Sequence, residues 1–162
     1  MDSSQTELIR FHARVGWASL AVFAALGLVL EGMHGLKFAW YLEQANETRR
    51  LMFTLGHAHG TLLAVLNLVF AALLQLTGCG NGVASRCLLA STALMPLGFF
   101  LGGLYIYAGD PGLGVMLVPV GALCLIVAAG SSALSYRTSQ PAQRPIAETS
   151  AATAARSKRR KK

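Results

Sequence analysis

Two short stretches hold the residues best suited to chemistry. Glu31 and His34 stand three positions apart near the end of one apolar run, and His57 and His59 lie in Gly56-His-Ala-His-Gly60 near the start of another. Residues at i and i+3 share a helix face. Glu31 and His34 can therefore turn inward together, or the carboxylate can snorkel to the membrane edge. His57 and His59 are about 200° apart around a helix, so one straight helix cannot aim both at the same ion.

Three chemistries suit these side chains. A haem b would need two imidazoles from different helices at similar depth; His34 with His57 or His59 could supply them, with Gly56, Gly60, Gly102 and Gly103 leaving room. A transition metal could use Glu31, His34 and His57, because imidazole and carboxylate suit zinc, iron or copper. The single Glu31-x-x-His34 is half of the di-iron pattern, and no second such pair follows. Imidazole and carboxylate within a membrane can also pass protons or hold a quinone-like ligand. Against all three stands a structural reading, in which the histidines bond to backbone carbonyls, Glu31 or tyrosines such as Tyr105 and lock the helices together. No nucleophile with an attendant base, phosphate loop or zinc pattern is present, and Cys79, Cys87 and Cys124 lack ligand spacing. The chain reads as non-enzymatic.

The elements that position these residues follow from composition. Of 162 residues, 54% are hydrophobic and 13% charged, against about 45–50% and about 25% in soluble domains. About 20 apolar residues cross a bilayer, and the windows 15–36, 52–76, 87–108 and 112–134 meet that length. The expectation is an all-α, integral membrane four-helix bundle spanning 15–136. A polar lead, 1–14, precedes it, with His12 beside Phe11 at the interface or in solvent, and a disordered basic tail, 137–162, follows.

Charge sets the expected orientation. Eight of the fourteen basic residues follow Tyr136, so the basicity belongs to a tail suited to anionic lipid head groups rather than to nucleic acid. Four spans put that tail, Arg10, Arg14 and Arg86 on one side and Lys37, Arg49 and Arg50 on the other. The positive-inside rule places both termini of this multi-pass protein in the cytoplasm, with the cell inner membrane as the assumed location. Glu31, His34, His57, His59, Tyr105, Tyr107 and Asp110 then share the outer half, and Asn67 lies about 15 Å deeper than His57.

Glycines at 98 and 102, and at 56 and 60, create faces where a second helix can approach closely, within the bundle or between copies. The leading functional expectation is therefore a protein that packs with itself as a homo-oligomer or joins a larger membrane complex within the lipid bilayer. The alternative is a haem, metal or proton and quinone site built on the membrane histidines.

Met33-His-Gly-Leu-Lys37, Phe100-Leu-Gly-Gly-Leu-Tyr105 and Pro119-Val-Gly-Ala-Leu123, in that order, resemble the YgdD-like family of small four-helix inner-membrane proteins. The resemblance runs from about residue 15 to 134. It implies a fold and no activity. Glu31, the doubled His57-Ala-His59 and the basic tail depart from the family pattern.

Overall fold

The computed structural model describes residues 3–43 and 47–138. Its helices are α1 (Ser3–Gly35), α2 (Ala39–Leu42), α3 (Glu47–Thr77), α4 (Gly82–Leu104) and α5 (Leu117–Thr138), with a 3-10 turn at Leu113–Met116 leading into α5. The four long helical segments are apolar enough to cross a membrane. Helices satisfy their backbone polar groups internally, which the bilayer requires. The all-α four-helix bundle is thus the observed fold, and its length and composition make the chain a multi-pass membrane protein.

The first three long helices begin earlier than their apolar windows. α1 starts at Ser3 rather than near residue 15, and α3 starts at Glu47 rather than near 52. Polar first turns continue an apolar helix without a breaker, so hydropathy marks the bilayer core while the helix itself runs on. Residues 3–14 are consequently the first turns of α1 and not a separate lead. The expected tail beyond Thr138 lies outside the described residues.

Local chemistry explains the chain reversals. At the end of α1 the N–H of Phe38 donates to the Met33 carbonyl and that of Lys37 to His34, with Lys37 at φ 53; this is a Schellman closure. α3 ends at Gly78, whose φ of 67 suits glycine and whose N–H donates to the Leu74 carbonyl. Asn81 then caps α4, its Oδ1 accepting from Val83 N at 2.8 Å and Ala84 N at 3.4 Å. Of the turn residues 78, 80, 81 and 82, Gly78 alone takes the left-handed conformation. Before α5, Tyr107 and Asp110 exchange backbone bonds around Ala108 and Gly109, both at positive φ, the pattern of a type I′ turn.

α1 packs on α3, α3 on α4 and α4 on α5. In the apolar stretches of α3 and α4, 33% and 50% of residues are buried, against 11% in those of α1 and α5; α3 and α4 therefore form the middle of the bundle and α1 and α5 its flanks. One core joins Leu63, Leu88, Met95 and Ala128, and a second joins Leu30, Tyr41 and Phe53.

The glycine faces are occupied within the chain. A Cβ at Gly98 would meet Val118 Cγ2 at 2.9 Å, and one at Gly102 would meet Val115 Cβ at 3.3 Å. Gly56 lies against Phe100 and Gly60 against the Phe23 ring.

Candidate functional site

The Phe23 to His34 stretch of α1 presents a line of residues to α3. Gly27 abuts the His57 ring so closely that a Cβ there would stand 2.5 Å from Cε1. Glu31 and His34 follow at i+4 and i+7 from Gly27, on the same face and one and two turns further along. All four residues line one cleft of about 760 Å³ between α1, α2 and α3, together with Tyr41, Thr48, Arg50 and Thr54 among others. Glu31, His34 and His57 thus line the same cleft, Glu31 and His34 from exposed positions.

His57 is fixed by its own hydrogen bond. Nδ1 lies 2.8 Å from the carbonyl oxygen of Phe23. A carbonyl only accepts, so Nδ1 carries the proton, and in the neutral ring Nε2 becomes the acceptor. His59 points elsewhere: its Nδ1 donates to the Leu55 carbonyl at 2.9 Å, and its ring lies against Phe99 with centroids 4.9 Å apart. The two imidazoles, two positions apart on α3, serve different interfaces.

Two cofactor readings do not match this geometry. Among the described residues no three His, Cys, Asp or Glu side chains converge to hold a metal ion, so Glu31, His34 and His57 share a cleft without forming a ligand set. The glycines expected to make space for haem are filled, Gly56 by Phe100, Gly60 by Phe23 and Gly103 by Met52 and Phe53. His59, the other candidate axial ligand, is held against Phe99. The room these glycines were expected to leave for a macrocycle is thus taken by side chains of the same chain.

The cleft mouth is held by neighbouring bonds. Arg49, on α3, is buried, stacks over the Trp40 ring at 4.3 Å and donates from Nη1 to the Trp40 carbonyl at 3.0 Å. Thr48 donates to the Gly109 carbonyl at 2.6 Å, tying the α4–α5 turn to the start of α3. Tyr105 is 62% exposed and stands outside the cleft.

Comparison with known proteins yields no match among family models, curated proteins or solved structures. The site must be read from its own geometry.

A second polar cluster lies toward the other end of the bundle, and sequence reasoning missed it. His12, expected at the interface or in solvent, is fully buried. Its Nδ1 lies 2.8 Å from Asn67 Oδ1 and its Nε2 2.8 Å from Ser85 Oγ. Asn67 donates from Nδ2 to the Leu63 carbonyl and to Thr92 Oγ1, each at 2.8 Å, and Thr92 passes its proton to the Leu88 carbonyl. The Leu63 carbonyl fixes the orientation of the Asn67 amide, so Nδ1 of His12 donates and Nε2 accepts from Ser85. Every proton in the chain has one place to go, and every buried side-chain polar atom among the described residues has a partner.

Ser85, His12 and Asn67 are spaced like a nucleophile, its base and an orienting group. Nucleophilic catalysis also needs an open face and donors for the developing oxyanion. Ser85 is buried, and the N–H groups of Val83, Ala84 and Ser85 are bonded to the side chain or carbonyl of Asn81. The cluster therefore joins α1, α3 and α4 without offering a reaction site. The available sequence signal was periodic: His12, Gly16, Ser19, Phe23 and Gly27 follow a helical repeat on one side of α1.

Proposed function

We propose that this chain is a non-enzymatic multi-pass protein of the cell inner membrane, with both termini cytoplasmic, that holds a small amphiphilic ligand in the outer cleft. The observation carrying this reading is that Glu31, His34 and His57 line one cleft while the Phe23 carbonyl fixes His57 Nε2 as an acceptor. The volume falls within the range of about 300–1,000 Å³ common for small-molecule sites. Leu30 and Leu51 supply apolar walls, and Leu51 is 54% exposed, so the cleft continues onto the surface that lipid would cover.

The competing reading is assembly with a second copy or a larger membrane complex; of the two roles expected of Gly56, Gly60, Gly98 and Gly102, packing within the bundle is the one their contacts match. Kinship with the YgdD-like proteins remains part of the proposal and rests on the short motifs alone.

Native mass spectrometry of the protein extracted from its own membrane tests the reading. A retained amphiphile should be lost when Thr54, exposed on the cleft wall, is replaced in Thr54→Trp. Equal retention by both proteins would remove the cleft as the binding site.

A further inference from the structure

We infer that the ligand of the outer cleft carries a protonated amine on an apolar body, a conclusion that rests on the cleft being a ligand site. The ionisable groups lining the cleft are Glu31, His34, Tyr41, Glu47, Arg50 and His57. Arg50 lies 3.8 Å from Glu47, so the one fixed cation of the cleft is already matched. Glu31 has no ion-pair partner among the described residues, although it stands one turn from His34. Apart from the imidazoles, the cleft holds two carboxylates and one guanidinium, an excess of one negative charge.

Three acceptors of the cleft point the same way, while His34 and the Tyr41 and Thr54 hydroxyls can donate or accept. Glu31 accepts only, and His57 Nε2 accepts because Nδ1 is committed to the Phe23 carbonyl. Thr48 spends its hydroxyl proton on the Gly109 carbonyl and presents lone pairs. A ligand head complementary to these groups donates several hydrogen bonds and is positively charged. A primary ammonium does both, whereas a phosphate or carboxylate head would meet Glu31 as a like charge. Leu30 and Leu51 then receive the apolar body.

This chemistry has two sources, the ethanolamine headgroup of a phospholipid and a free amphiphilic amine. Binding by the purified full chain in neutral detergent would be measured by native mass spectrometry with four probes: dodecylammonium, dodecanol, palmitoyl-oleoyl phosphatidylethanolamine and palmitoyl-oleoyl phosphatidylglycerol. Dodecylammonium is expected to bind saturably, and Glu31→Gln to weaken it about tenfold, the scale of one charge-assisted hydrogen bond, while leaving any dodecanol binding unchanged.

Phosphatidylethanolamine competing with dodecylammonium would assign the lipid source; dodecylammonium binding without that competition would assign the free amine. The inference is overturned if dodecanol or phosphatidylglycerol binds as tightly as dodecylammonium, or if Glu31→Gln changes nothing. Thr54→Trp separates this from failure of the cleft itself. Loss of dodecanol binding in Thr54→Trp, with no effect of Glu31→Gln, keeps the cleft and removes the amine. No probe responding to Thr54→Trp removes both.

Discussion

His12 Nδ1 and Asn67 Oδ1 stand 2.8 Å apart across the α1–α3 interface, although 55 positions separate them in the chain. This bond is the centre of a chain of side chains from Ser85 to Thr92 that links three helices. Between apolar helices in lipid there is little hydrophobic drive for association, so packing and interhelical hydrogen bonds carry much of the specificity.

Asn67→Leu removes three hydrogen bonds at once, to His12, Leu63 and Thr92. Two of these cross between helices; interhelical bonds in membranes average about 0.6 kcal/mol and reach about 1.7 kcal/mol, so a loss of about 1–2 kcal/mol is expected in reversible unfolding from mixed micelles. A double-mutant cycle with His12→Phe should return a coupling of about 0.5–1.5 kcal/mol. Strictly additive effects would show that the two side chains are neighbours without being partners.

The four histidines should differ in chemical reactivity. Diethyl pyrocarbonate attacks an unprotonated imidazole nitrogen that solvent can reach. His34 is exposed, His57 and His59 are half-buried, and His12 is fully buried with both nitrogens engaged. Peptide mass mapping should find His34 modified first, His57 and His59 later, and His12 only after unfolding. Early modification of His12 would contradict its burial.

How much of this was legible in the sequence depends on what each residue must satisfy. Apolar length alone located the four spans, because the bilayer imposes it. The shared depth of Glu31, His34 and the α3 histidines was also legible from span direction, whereas periodicity alone does not choose between His57 and His59. His12 was not. It precedes the apolar core of its helix, and local hydropathy reads such a residue as solvated, whereas its environment is set by Asn67 and Ser85 on other helices. Arg49 was hidden for the same reason: a loop-like charge becomes buried once α3 extends to Glu47 and Trp40 stacks on the guanidinium.

The glycine contacts predict a graded series. At Gly98 an added Cβ would meet the backbone nitrogen of Val118 at 3.1 Å as well as two side chains, whereas at Gly130 it would meet nothing within 4 Å. Backbone cannot move aside as a side-chain tip can, so Gly98→Ala should separate α4 from α5 and destabilise by about 1–3 kcal/mol, the usual cost of overpacking. Gly130→Ala should be neutral or slightly stabilising, because alanine is the better helix former. Thermal unfolding in detergent distinguishes the two; equal effects would mean that the α4–α5 approach is looser than these distances.

Orientation supplies the last prediction. The Gln5 side chain donates to the Gly78 carbonyl at 2.7 Å, and Asn81 reaches Ser135 Oγ at 3.3 Å. The start of α1, the α3–α4 turn and the end of α5 thus share one end of the bundle, and Leu36 lies at the other, 85% exposed. The distribution of basic residues predicts that the first end is cytoplasmic. A membrane-impermeant maleimide should therefore label Leu36→Cys in intact cells and reach Cys79, in the α3–α4 turn, only after permeabilisation. Labelling in the reverse order would invert the protein and turn the Glu31–His57 cleft toward the cytoplasm, where its ligand would have to be drawn from the inner leaflet.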